Sequence, residues 1–194
     1  MLNRIDRSVF ASMISTCGNT SNTVHLTTHD IEDGFEVETI LMFILAIDNS
    51  DSDDLADLMY DRLNPHTIIF AKKYEMNLVI AEIKMYLFGL IAQWPPTGGQ
   101  YFLEAAHLGE WSLCGRLIAT LANVRPDESD KEKYTRRMLD WRGWTSDIMD
   151  EMGRVSAKFS WAVCYAGTHH AGRNKDKGIY YEGMGEELAK LMTS

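Results

Sequence analysis

Residues 64–91 constrain the fold of this chain more than any other stretch. They open with Asn64 followed by Pro65, a strong helix start, because Asn caps free backbone N–H groups and proline at the first helical position loses no hydrogen bond. Further along, Met76 and Asn77 indicate a break, with Asn77 as a second cap. The stretch therefore predicts a helix, a tight corner and a longer helix.

The longer helix of this corner has an amphipathic pattern. Its apolar residues recur at three- and four-residue steps, which place them on one helix face; they are Val79, Ile80, Ile83, Tyr86, Leu87, Leu90 and Ile91. Such a unit must pack against other segments to bury its apolar faces. We therefore expect the corner to be the hub of the fold.

Length and composition favour a soluble globular protein. The chain has 194 residues, of which 45% are apolar, enough to bury a sizeable core. No charged-then-apolar signal segment opens it, and its longest apolar runs are far too short to span a bilayer. We expect a cytoplasmic or nuclear protein without a membrane partner.

The net charge of −9 is concentrated in the first third of the chain. Residues 1–64 hold twelve acidic and three basic side chains, so the remainder is neutral. This charge disfavours nucleic acid and anionic membranes and suits a basic protein partner. The alternative is a solvated acidic face that keeps the protein soluble.

The cysteines and histidines indicate no metal site. Cys17, Cys114 and Cys164 form no C-x-x-C pair, which argues against a disulfide framework or a zinc finger and fits a reducing compartment. His169 and His170 lie close to Cys164, but zinc commonly takes four ligands with paired cysteines. We expect Cys164 to be a small buried apolar residue.

No motif for catalysis or for a cofactor is visible. The chain has no G-x-S-x-G or similar nucleophile signature, and the glycines at 183 and 185 lack the lysine of a phosphate-binding loop. The basic loop at 169–178 is interpreted as solvated. We expect no catalytic residue, no cofactor and no metal.

The rest of the pattern is almost wholly helical, with one short strand. The predicted elements are the strand at 24–26, helices at about 35–48, 55–62, 101–107, 110–122, 145–167 and 185–192, a charged linker at 124–133, and one or two helical turns at 134–139. Residues 71–78 and 106–113 also match at four positions at an offset of 35, as Ala, Glu, a large apolar residue and Leu. This echo indicates two stacked helical hairpins, with chance as the alternative.

The corner also carries a family resemblance. Residues 71–83, A-K-K-Y-E-M-N-L-V-I-A-E-I, resemble the helical corner of BTB/POZ domains, especially those expanded in fungi. Residues 7–14 resemble the S-x-x-F-x-x-M helix of that family, and other segments with matching order are 24–26, 37–44 and 105–121. The family's opening β-hairpin and first helix have no counterpart here, and Leu45-Ala46 stands where a tyrosine often ends the helix.

This resemblance implies a fold class and a domain organisation. The fold class is mainly α, with a very small β component, built as a core of stacked helical hairpins. Residues 1–124 would form a BTB/POZ-like domain that lacks its usual first strands and helix, and residues 125–194 a helical C-terminal extension.

The resemblance also implies a non-catalytic module for protein–protein interaction. Such modules form homo- or hetero-dimers and link substrates to cullin-type ubiquitin ligases, or regulate transcription. The partner would be a second copy, another BTB-like protein or a cullin-type protein. Two alternatives stay open: a helical-repeat scaffold, and a small His/Cys metal-binding protein or hydrolase.

Five residues are the candidate partner contacts. Trp141, Arg142 and Trp144 are the best exposed anchors, because interface hot spots favour Trp and Arg, although core packing is the alternative for the tryptophans. Phe10 and Met13 lie in the segment that resembles the S-x-x-F-x-x-M helix.

Overall fold

A computed structural model describes residues 34–49, 52–93, 101–123, 130–140, 142, 144–172 and 179–194. The chain is mainly helical there, which confirms the predicted class. In these residues β structure is limited to one antiparallel bridge, between Ala171 and Ile179. The predicted strand at 24–26 lies outside the described residues, as do Phe10, Met13, Trp141 and Cys17.

Ten α-helices are found in the described part of the chain. They are α1 (Gly34–Asn49), α2 (Ser52–Arg62), α3 (Pro65–Lys73), α4 (Asn77–Gln93), α5 (Phe102–Leu108), α6 (Trp111–Thr120), α7 (Asp130–Leu139), α8 (Ser146–Val155), α9 (Ala157–His170) and α10 (Tyr181–Thr193). A 3-10 turn, Leu121–Asn123, follows α6.

The chain divides into two compact units, Met1–Tyr86 and Leu87–Ser194, and the boundary falls within α4. In the first unit α1 packs against α2 and α3. In the second unit α10 packs along α6 and α9. The domain boundary expected after residue 124 rests on the family resemblance and stays a prediction.

The predicted corner is present between α3 and α4. The Asn64 side chain accepts a hydrogen bond from the backbone N–H of Thr67 at 3.0 Å, with Pro65 as the first helical residue. The helix ends at Lys73, and α4 begins at Asn77. The break before Asn77 and the cap at Asn64 are therefore confirmed, whereas the predicted cap at Asn77 is wrong, because Asn77 is the first residue of α4 and Met76 stands in the cap position.

A second corner, between α5 and α6, repeats the backbone geometry of the first. Glu75 and Gly109 both adopt a left-handed conformation, with φ of 54° and 78°. The next residue, Met76 or Glu110, donates its N–H to the carbonyl five residues back, at 2.9 and 3.0 Å. The equivalent residues lie 34 apart in sequence, one fewer than the offset of the sequence echo.

Two predicted elements after residue 123 are wrong. The linker expected through residue 133 gives way to α7, which begins at Asp130. Packing holds this charged helix, since Met138 and Leu139 are buried and Arg136 donates to the Leu121 carbonyl at 2.8 Å. The sequence predicts only one or two helical turns at 134–139, because the charged residues before them show no apolar periodicity.

The single helix expected from Thr145 to Gly167 is also wrong, because it is two helices. Ser156 has an extended backbone between α8 and α9, and its hydroxyl accepts the N–H of Phe159 at 3.0 Å. Serine competes in this way with a continuous helix and favours a cap. Gly167 lies inside α9, and the last helix begins at Tyr181, four residues earlier than expected.

The second unit is built around a close crossing of α6 and α10. A Cβ placed on Gly115 would overlap the backbone carbonyl of Gly185, and a Cβ on Gly185 would overlap that of Gly115. The two backbones therefore touch without an intervening side chain. This contact fixes the position of α10 against α6. Helix α10 carries one residue of the candidate site described below.

Candidate functional site

Helix α4 is apolar on two faces. One face is buried and carries Val79, Ile83, Leu87 and Leu90, as the sequence pattern predicts. Another face carries Leu78, Ala81, Met85, Phe88 and Ala92, all of them exposed. Sequence reasoning missed this second face, because the apolar residues at helical spacing were all assigned to the single face that packs in the core.

The exposed face, which we name the α4 seam, has a regular spacing. Its five residues follow one another at steps of three, four, three and four, the spacing of the contact positions in a coiled coil. The large side chains are well exposed, with Met85 at 60%, Phe88 at 46% and Leu78 at 40%. A helix with apolar residues on two opposite faces is typically buried on both of those faces.

A cluster of metal-ligating side chains lies where α9 ends beside α10. The carboxylate Oε2 of Glu187 is 2.6 Å from Nδ1 of His169 and 2.7 Å from Nε2 of His170. One ligand atom from each of these three residues lies within 4.8 Å of the others. Cys164, which the sequence placed near this pair, is half-buried in α9 and is not part of the group.

His170 is the buried member of the cluster. Its side chain is 10% exposed, and its Nδ1 has no hydrogen-bond partner among the residues that the structure describes. Residue 183 is glycine, which leaves space for the His170 ring. A Cβ at that position would lie 2.7 Å from Nδ1. Gly183 thus makes room for a histidine and has no part in a phosphate loop.

Glu187 is held in its ionised form. Partial burial alone would raise the pKa of its carboxyl, but the hydrogen bonds from His169 and His170 outweigh that effect, and the pKa is lowered. The carboxylate is therefore an available oxygen ligand at neutral pH. Sequence reasoning missed Glu187, because it lies 17 residues from His170 in no recognised spacing.

Aromatic rings continue from the cluster along the exposed side of α9. Trp161 stacks on Tyr165 at 5.3 Å between ring centroids, and Tyr165 lies 6.0 Å from His169. Both aromatic residues are about half exposed. The Tyr165 ring therefore covers part of the half-exposed His169 ring.

Two of the predicted partner contacts can be located. Arg142 is exposed, and its guanidinium donates two hydrogen bonds, of 2.7 and 2.8 Å, to the Asp140 carboxylate. Trp144 is half-buried and donates its indole N–H to the Met138 carbonyl at 2.7 Å. Both side chains are thus bound to their own chain, and their role as partner contacts stays a prediction.

Comparisons with protein-family models, with curated proteins and with solved structures find no match to this chain. The resemblance to BTB/POZ domains therefore stays a prediction. Among the described helices, none is both long and apolar enough to cross a membrane.

Proposed function

We propose that this chain is a non-catalytic interaction module that forms a homodimer through the α4 seam. The observation that carries the proposal is a continuous row of five exposed apolar residues at coiled-coil spacing on one helix. Burying such a row against another helix removes apolar surface from water, which is favourable. The BTB/POZ resemblance, which implies dimers, points to the same class of function.

The order of side chains along the seam favours an antiparallel pair of helices. With the two-fold axis at Met85, Leu78 of one copy faces Ala92 of the other, and Ala81 faces Phe88. Every large residue then meets a small one, except at Met85, which meets its own copy. Alternating large and small residues keeps the helix separation even along the seam.

A parallel pair would place like residues opposite each other. Phe88 would meet Phe88 and Ala81 would meet Ala81, so the helices would be held apart at one level and leave a void at the next. The charged side chains beside the seam, Glu82 and Lys84, flank it on opposite sides and leave its centre apolar. The antiparallel arrangement therefore packs better.

The seam is short, so we expect a reversible dimer. It extends over about 21 Å at 1.5 Å per residue. Stable complexes bury about 800 Å² on each partner, more than a row of five residues offers. The dimer should therefore dissociate on dilution.

Sedimentation equilibrium over a concentration series tests the proposal. Met85→Glu places two carboxylates beside each other at the two-fold axis and should weaken the dimer about tenfold or more, since like charges in an interface are strongly unfavourable. Tyr60→Glu is the matched control, because Tyr60 is an exposed aromatic residue of the first unit outside the seam. It should leave the equilibrium unchanged.

A charge-swap experiment separates dimerisation from general destabilisation. Met85→Glu and Met85→Lys should each be monomeric alone and should form a heterodimer when mixed. A wild-type chain that stays monomeric at high concentration would overturn the proposal. So would a Met85→Glu variant that dimerises as well as wild type.

A further inference from the structure

We infer that His169, His170 and Glu187 form a binding site for one divalent transition-metal ion of the Zn²⁺ class. The site is independent of the proposed dimer, because no residue of the α4 seam takes part in it. It joins the C-terminal end of α9 to the middle of α10, two helices that pack against each other within the second unit.

The donor set is suited to such an ion. Two imidazole nitrogens and one carboxylate oxygen are the ligands that hold zinc in sites with three protein ligands. Imidazole also suits copper, nickel and iron, whereas calcium and magnesium prefer all-oxygen sites. The ion therefore belongs to the transition-metal class, and its fourth position would be open to water on the exposed side of His169.

The three ligand atoms need only a small movement to accept the ion. Tetrahedral zinc with bonds of about 2.1 Å places its ligand atoms about 3.4 Å apart. The nitrogens of His169 and His170 now lie 2.6 and 2.7 Å from the Glu187 oxygen and within 4.8 Å of each other, so the oxygen must withdraw by less than about 1 Å and the two nitrogens must approach by up to about 1.4 Å. Glu187 is partly exposed and can make this shift by side-chain rotation.

The surroundings of His170 hold its imidazole ring in place. The glycine at 183 lets α10 approach the ring, and Tyr180 lies 6.0 Å away between ring centroids. A neutral imidazole has one N–H, so when Nε2 binds a metal the proton resides on Nδ1. Its Nε2 faces Glu187, which fixes the nitrogen that would bind.

Titration of the purified chain with Zn²⁺ in the presence of a chromophoric competing chelator tests the site. We expect one equivalent to bind, and Glu187→Gln should weaken binding at least about 100-fold, since even loss of a supporting outer-shell group costs 10–100-fold. Glu186→Gln is the matched control, because Glu186 is the exposed neighbour on the same helix. It should bind as wild type does.

Imidazole ¹⁵N spectra give a readout that does not depend on the variants. The chain has six histidines, and Zn²⁺ should shift the resonances of His169 and His170 only. If Glu187→Gln fails to fold, His169→Ala, at a half-exposed position, should show the same loss of affinity. The inference is overturned if no saturable binding occurs, if Glu187→Gln binds like wild type, or if Zn²⁺ shifts other histidines instead.

Discussion

Gly115 and Gly185 face each other where α6 and α10 cross, and neither position has room for a Cβ atom. Alanine at either point would favour the helical conformation by about 1 kcal/mol over glycine. The closeness of the two backbones outweighs this preference. The pair therefore sets the distance between the helices on which the second unit depends.

Gly115→Ala should destabilise the protein by about 1–3 kcal/mol, because the added methyl must push the Gly185 carbonyl away in a close-packed core. Gly153→Ala is the matched control, since a Cβ there would contact nothing within 4 Å. The control should stabilise the protein by about 0.5–1 kcal/mol. Urea unfolding monitored by circular dichroism distinguishes the two, and equal effects would contradict the close crossing.

Glu75→Gly should stabilise the protein by about 1 kcal/mol. Glu75 has a φ of 54°, a conformation that costs a residue with a side chain about 1–2 kcal/mol and costs glycine nothing. Part of this gain is offset by the greater freedom of glycine in the unfolded chain. Glu75→Ala keeps the Cβ and should show no gain, so thermal melts that rank alanine with glycine would argue against strain at this corner.

Ser156→Ala should destabilise the protein by about 1 kcal/mol, because it removes the hydroxyl that caps the N–H of Phe159. Thr145 stands in the equivalent cap position before α8, but its side chain makes no capping hydrogen bond. Thr145→Ala should therefore cost clearly less. Chemical denaturation of both variants provides the comparison.

The described cysteines should differ strongly in reactivity. Burial raises the pKa of both thiols. At Cys114 the Glu104 carboxylate raises the pKa further, whereas Cys164 is only half-buried. The thiolate is the reactive form, and Cys114 is also inaccessible. Iodoacetamide labelling followed by peptide mapping should modify Cys164 before Cys114, which should react only after unfolding. Early labelling of Cys114 would show that α6 is not packed as described.

The ion pair at Asp140 should give a measurable pH dependence. The hydrogen bond from the Arg142 guanidinium lowers the pKa of the Asp140 carboxyl. Its contribution to stability is therefore present above the unfolded pKa, about 3.9, and is lost as the pH falls through the lower folded value. In Arg142→Gln, carbon NMR should show the pKa of Asp140 returning towards its ordinary value. The stability difference from wild type should vanish at low pH.

The sequence predicts those features that depend on local interactions. Asn64 and Pro65 start a helix through their own backbone and side-chain preferences, so the corner is readable from neighbouring residues. Ser156 carries the same kind of signal, but the apolar pattern running through it concealed the break. Stronger weight on polar caps inside long apolar patterns would have divided α8 from α9.

Long-range features could not be read in this way. The pairing of Gly115 with Gly185, and of Glu187 with two histidines, depends on where α10 packs, which no local pattern encodes. In the sequence, the glycines at 183 and 185 indicate only a phosphate-binding loop that lacks its lysine. Their helical context shows that they serve close packing instead.

The left-handed residue at the first corner also bears on how the native chain opens. Tyr74 and Met76 on either side of Glu75 are buried, so the strained conformation is kept only while those two side chains stay packed. A brief loss of that packing releases the strain and exposes three successive peptide bonds. Opening of the corner is thus coupled to the unpacking of these two side chains, so it should require a larger local unfolding than opening of an exposed turn.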